Sequence, residues 1–121
     1  IPPVYIKKDQ QVLISIKPFD YSFIIEENLS HIFGILAHQQ IKVNMMQNSA
    51  LSFSISVDNN MDRVPKVIQE LKLHYKVKYN EGLDLITIRH NKPGAEQKVL
   101  EGKNILVEQR SRTVARFVVK H

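Results

Sequence analysis

Five histidines, His31, His38, His74, His90 and His121, are the first candidates for metal binding or proton transfer. None falls in an H-x-x-x-H or H-E-x-x-H spacing. His31 and His38 share one face of a predicted helix but stand two turns apart, too far to meet on one ion. They read as exposed helix and strand-end residues, and no metal is expected. The carboxylates Asp20, Glu26, Glu27, Asp58 and Asp62 read as helix-terminal and turn charges rather than as an acid–base pair. The only glycines are Gly34, Gly82, Gly94 and Gly102. None forms the G-x-G or P-loop pattern that cradles phosphate, so no bound ATP and no other cofactor is expected. The chain has no cysteine, which excludes thiol nucleophiles and thiolate metal sites. No catalytic residue is assigned, and the chain by itself reads as non-enzymatic.

The elements that must position any binding residues are clearer. Leu29, Ile32, Phe33 and Leu36 recur with the spacing of one helix face, and Glu26 and Glu27 precede them at the positive end of the helix dipole. Gln39 and Gln40 break that pattern, and Ile41, Lys42 and Val43 begin a strand. Leu51, Phe53, Ile55 and Val57 alternate with Ser52, Ser54 and Ser56, which predicts a strand with one apolar and one hydroxylated face. A second helix is predicted over residues 62–73, with Val64, Val67, Ile68 and Leu71 on one face and Pro65 tolerated in the first turn. Upstream, residues 4–6 read as a short strand, Asp9, Gln10 and Gln11 as a turn, and residues 12–16 as a buried strand closed by Pro18. Val77 and Tyr79 mark a fourth strand, ended by Asn80, Glu81 and Gly82.

The order β-α-β-β-α-β is that of a ferredoxin-like unit, an antiparallel sheet with two helices on one face. The pattern then restarts: a strand over 83–89, a short helix opened by Pro93 and running to Lys103, a strand over 105–108, a turn at Arg110, Ser111 and Arg112, and a strand over 114–119. This second unit lacks its last helix and strand. The spare strand at residues 4–7 is available to cover the open edge, which natural sheets avoid leaving bare. The predicted class is therefore α+β: two ferredoxin-like units, the first over residues 9–81 and the second, truncated, from 1–8 plus 82–121. Of Met45 and Met46, one is expected in the core and the other outside it, at a subunit contact.

In such a unit the loop after the first strand, residues 19–27, is expected beside the start of the second strand at Val43 and Asn44. Backbone amides at a helix N-terminus suit a carboxylate. The Val43 carbonyl and the Asn44 side chain suit an ammonium or hydroxyl. Those are the parts of an amino-acid site.

The net charge is +5, from 17 basic and 12 acidic residues. The basic groups are scattered (Lys7, Lys8, Lys76, Lys78, Arg110, Arg112, Arg116), with no basic run and no interleaved aromatics, so nucleic acid is not the expected partner. No apolar run approaches the ~20 residues of a membrane helix, and no signal peptide is visible. A cytoplasmic domain cut from something longer is the expectation, since the chain opens on Ile1.

Residues 33–58 resemble the first ACT domain of aspartate kinases. The resemblance is carried by Phe33 to Ala37 as the F-x-x-L-A helix end, by Ile41, Lys42, Val43 and Asn44 as the short I-x-V-D/N strand, by Asn48 and Ser49 as the hairpin pair, and by the alternating strand through Asp58. It implies a tandem-ACT regulatory region in which the segment before the first unit completes the second. It implies feedback inhibition by lysine or threonine of the phosphorylation of aspartate by ATP, with the kinase domain N-terminal in the same polypeptide. It also implies a homodimer through the first unit, and an effector site over Phe19, Asp20, Tyr21, Ser22, Glu27, Val43, Asn44, Gln47, Asn48 and Ser49. Family members with a lysine site carry G-F-L at the helix start, an Asp after I-x-V and a Glu after the hairpin pair. This chain has Glu27, Asn28 and Leu29, then Asn44, then Ala50, so two acidic partners for a lysine ε-ammonium are missing. The alternative is a ferredoxin-like nucleic-acid or protein-interaction module, which would present aromatics on the sheet face where Ser52, Ser54 and Ser56 stand. A small acyl-phosphate hydrolase would need a phosphate loop that the chain lacks.

Overall fold

A computed structural model describes the whole chain, Ile1–His121. The elements are β1 (Val4–Pro18), α1 (Glu26–His38), β2 (Val43–Asn48), β3 (Phe53–Asp58), α2 (Val64–Lys72), β4 (Tyr75–Arg89), α3 (Ala95–Leu100), β5 (Asn104–Arg110) and β6 (Val114–Lys120). The hydrogen-bonded strand order is β2-β3-β1-β4-β6-β5. Two compact units result: Val12–Glu81, and Ile1–Gln11 together with Gly82–His121. β1 and β4 each give one part to either unit.

In the unit Val12–Glu81 the core is drawn mostly from the predicted faces, with Ile35 and Tyr75 added and Leu29 and Phe33 only partly buried. Val12, Ile14 and Ile16 of β1, Phe53, Ile55 and Val57 of β3, and Tyr75 of β4 meet Ile32, Ile35 and Leu36 of α1 and Val64, Val67, Ile68 and Leu71 of α2. Phe33 stands edge-on to Phe53, with ring centroids 5.6 Å apart.

α1 starts because the Asn28 side chain turns back to accept the Ile25 N–H at 3.0 Å, with Glu26 and Glu27 in the first turn. It stops in a Schellman turn: Ile41 N–H reaches the Leu36 carbonyl at 2.9 Å and Gln40 N–H the Ala37 carbonyl at 3.0 Å. Gln40 holds the left-handed position that glycine usually fills, at φ +55°. α2 is entered through Asn60, whose Oδ1 accepts the N–H groups of Asp62 and Arg63, both at 3.0 Å.

In the other unit, Ile86, Ile88, Ala115, Phe117 and Val119 form the core, with Val99 and Leu100 of α3 packed on it. β6 lies between β5 and β4, antiparallel to both. The α+β class, with antiparallel strands and helices on one face, is the one the sequence predicts. Met45 is buried and Met46 exposed, one in and one out.

Four local readings need correction. Asp9, Gln10 and Gln11 do not form a turn, because β1 runs on through them with Gln10 at φ +50°. Asn80, Glu81 and Gly82 likewise lie within one long β4, with Gly82 at φ +68°. One residue of positive φ re-aims an extended chain without ending it, so polar residues here mark a bend and not a break. Leu51 is 54% exposed, since β3 begins at Phe53, while Ser56 on the hydroxylated side is buried. α3 is shorter than expected, and Pro93 lies outside it because Gly94, left-handed at φ +86°, sets the first turn.

Candidate functional site

The loop after β1 is shaped by short-range hydrogen bonds. Asp20 Oδ1 accepts the Ser22 N–H at 3.0 Å, and donors from Ser22 hold the Asp20 carboxyl below its ordinary pKa. Tyr21 N–H reaches the Pro18 carbonyl at 3.2 Å, with Tyr21 left-handed at φ +58°. The Tyr21 hydroxyl accepts from Lys76 Nζ at 2.5 Å. Lys76, first among its neighbours, lowers the phenol's pKa. Phe19, Tyr21, Phe23 and Ile25 are exposed. Glu27 is exposed in the first turn of α1.

Downstream, the loop is strapped to the β2–β3 hairpin, where Ile24 N–H donates to the Ala50 carbonyl at 2.8 Å. Ser49 closes that hairpin. Its hydroxyl donates to the Ser52 carbonyl at 3.1 Å and accepts the Ser52 N–H at 3.2 Å. Gln47, Asn48 and Ser49 are exposed.

Val43 and Asn44 are elsewhere. Val43 pairs with Val57, and Asn48 with Phe53, so Asn44 stands at the end of β2 away from the hairpin. A bulge at Asn44 shifts the register there, and Asn44 Nδ2 donates to Asp58 Oδ1 at 2.8 Å. The expectation that residues 19–27 lie beside the start of β2 is therefore corrected: the loop lies beside its end. The reason is the helix. The 13 residues of α1 carry the chain back about 20 Å. β2 thus starts level with the beginning of the β1 segment and finishes level with its end.

Of the ten residues singled out from the sequence, then, Phe19, Asp20, Tyr21 and Ser22 lie in the loop tied to the hairpin that carries Gln47, Asn48 and Ser49, and Glu27 lies in the first turn of α1. Val43 and Asn44 do not join them. Sequence reasoning missed Asp58 and Lys76 as the partners of Asn44 and Tyr21, and Ala50 as the partner of Ile24. Lys76 carried the one available signal, since it alternates with Tyr75 and Val77 and so must face away from the core.

No protein-family model matches the chain, and no curated relative does. Solved structures do. E. coli aspartokinase III, solved with lysine and aspartate in the T-state, superposes at TM-score 0.74 with 24% identity, over 96% of this chain and 29% of that one. The C-terminal regulatory domain of an aspartate kinase from Porphyromonas gingivalis gives 0.76 with 20% identity, over 98% of this chain and 86% of that one. Clostridium acetobutylicum aspartate kinase gives 0.77 with 16% identity, over 96% and 30%. The chain has the fold of the aspartate kinase regulatory region. It spans less than a third of the length of the E. coli and Clostridium enzymes and 86% of the Porphyromonas regulatory-domain chain.

Proposed function

We propose that this chain is the regulatory region of an aspartate kinase: two ACT units, roughly residues 9–81 and 1–8 plus 82–121, that bind an end-product amino acid, lysine or threonine. Binding is reported to a kinase domain on the same polypeptide, which transfers phosphate from ATP to aspartate. The observation that carries the reading is the match over 98% of this chain to a C-terminal regulatory domain of an aspartate kinase, 86% of which it covers, joined to the residue pattern from Phe33 to Asp58. Regulation of this kind requires the effector to bind one state of the enzyme better than another.

The geometry supports a site built from two copies. The loop of residues 19–22 and Asn44 lie at opposite ends of β2, and β2 is an edge strand of the sheet. Two β2 edges paired antiparallel across a two-fold axis would set the hairpin end of one copy beside the Asn44 end of the other. The amino acid would give its carboxylate to loop amides and its ammonium to acceptors at Val43 and Asn44. Calorimetry with lysine and threonine, alongside sedimentation of the same samples, tests this. Saturable binding of one of them to a dimer is expected. A monomer that binds neither overturns the reading.

A further inference from the structure

The side of the unit Val12–Glu81 sheet that faces away from its helices carries a group of cations. Ile14 and Ile16 of β1, and Tyr75 and Val77 of β4, turn into the core. By alternation Ser15, Lys17, Lys76 and Lys78 face the other way. These four side chains and Tyr21 line a cavity of about 50 Å³.

Two features build the cavity. The left-handed turn at Tyr21 folds the ring back over β4, with Lys76 Nζ 5.0 Å from the ring centroid and 2.5 Å from the hydroxyl. Ser15 Oγ is fixed by Ser54 Oγ at 3.1 Å. Three ammonium groups and two hydroxyls thus border one small space. No carboxylate lines it, and neither Lys17 nor Lys78 takes part in an ion pair. Like charges gathered this way repel one another and leave a positive potential that an anion relieves. The Tyr21 hydroxyl registers that field, since Lys76, and more weakly Lys17 and Lys78, favour its ionised form.

We propose that this pocket binds a small oxyanion, the phosphoryl or carboxylate group of a metabolite, held by Lys17, Lys76 and Lys78 with hydroxyl contacts from Ser15 and Tyr21. The cavity has room for one such group. The inference shares Tyr21 with the loop of the effector reading, but its three lysines and Ser15 have no part in that reading and it uses neither Val43 nor Asn44.

The test is a titration of the intact chain with inorganic phosphate in one arm and succinate in the other, at fixed ionic strength, followed by NMR shifts of the Ser15 to Tyr21 amides. A saturable response in the phosphate arm identifies a phosphoryl ligand, and one in the succinate arm a carboxylate ligand. Lys17→Gln and Lys78→Gln should each weaken that response about two- to fivefold, the range for partly exposed charge pairs, and Lys98→Gln should leave it unchanged. Both lysines are exposed, so the variants are expected to fold, and dispersion of the same spectra verifies it. Equal responses in wild type and both variants, or no saturable response in either arm, overturn the proposal. Lysine and threonine calorimetry on the same variants reports on the effector site separately.

Discussion

Asn44 Nδ2 donates to Asp58 Oδ1 across the open end of the β2–β3 ladder, at 2.8 Å. The pair joins a strand start to a strand end and places a carboxylate on β3 and not on β2. Asn44→Asp therefore sets two carboxylates against each other. Like charges at such a distance raise the carboxyl pKa in the folded state. The resulting loss of stability is present above the raised folded value and vanishes once pH falls below the unfolded one. At neutral pH the expected loss is about 0.5 kcal/mol, small because the site is exposed. It should disappear near pH 3 in urea denaturation. If lysine binds here, its ε-ammonium lies against this pair, and the substitution should strengthen lysine binding more than threonine binding. Equal change in calorimetry with the two amino acids removes Asn44 from the site.

The left-handed residue after α1 offers a stabilising change. Gln40 sits at φ +55° in a Schellman turn. A side chain there costs ~1 kcal/mol, and glycine gives back part of that relief as unfolded-chain entropy. Gln40→Gly should raise stability by about 0.5 kcal/mol, and Gln40→Val should lower it by about 1 kcal/mol or more. Thermal melts of the two variants check the opposite signs.

In the unit that contains Gly82–His121, Glu96 anchors Arg110. Both carboxylate oxygens are engaged, by Nη1 at 2.5 Å and Nη2 at 2.6 Å, and Asn91 Nδ2 adds a contact at 2.7 Å. The Arg110 guanidinium also stands 5.4 Å from the Phe117 ring centroid. Arg110 donors, then Asn91, hold the Glu96 carboxyl below its ordinary pKa of 4.5. A depressed carboxyl contributes stability above the unfolded value and loses it as pH falls through the folded one. Glu96→Gln should therefore cost about 0.5–1 kcal/mol at pH 7, discounted because the arginine side chain is 47% exposed. Well below pH 4 the variant and the parent should coincide in urea denaturation.

Leu51 and Phe53 test the corrected start of β3. They alternate identically in the sequence, yet one is 54% and the other 1% exposed. Phe53→Ala should cost about 3–5 kcal/mol. Leu51→Ser should change stability by less than about 0.5 kcal/mol. Comparable losses at both positions would restore Leu51 to the core.

What could be read from the sequence was what depends on local periodicity. The core faces of α1 and α2 follow from apolar spacing, and Phe53, Ile55 and Val57 from alternation, because burial of a face is the physical cause of each pattern. The errors came where a local signal was overruled by distant chain. Gln10 and Asn80 look like strand ends because polar residues commonly close strands, but β1 and β4 continue through them. The Ile24–Ala50 and Tyr21–Lys76 contacts link residues far apart in sequence, and the Asn44–Asp58 contact joins the two ends of a hairpin that residue types alone do not register. The loop was assigned to the wrong end of β2 because residue types, without the length and direction of α1, leave two ends to choose from.

The way β1 and β4 are shared gives the two units different histories during synthesis. Val12–Glu81 is one continuous segment, so every residue of its core has been made once Glu81 has. The partner unit draws on both Ile1–Gln11 and Gly82–His121. Its N-terminal strand must wait for Gly82 and the rest of β4, which come only after the whole of Val12–Glu81 has been joined. Long-range closure of that kind is slow compared with local contact formation. A ribosome-bound chain made just past Glu81 should therefore carry one finished unit and one unpaired strand, which protease probing of chains stalled soon after Glu81 and at His121 would distinguish. Fusing Gly82–His121 ahead of Ile1–Gln11 in a rearranged gene would make the late unit contiguous and reverse that order.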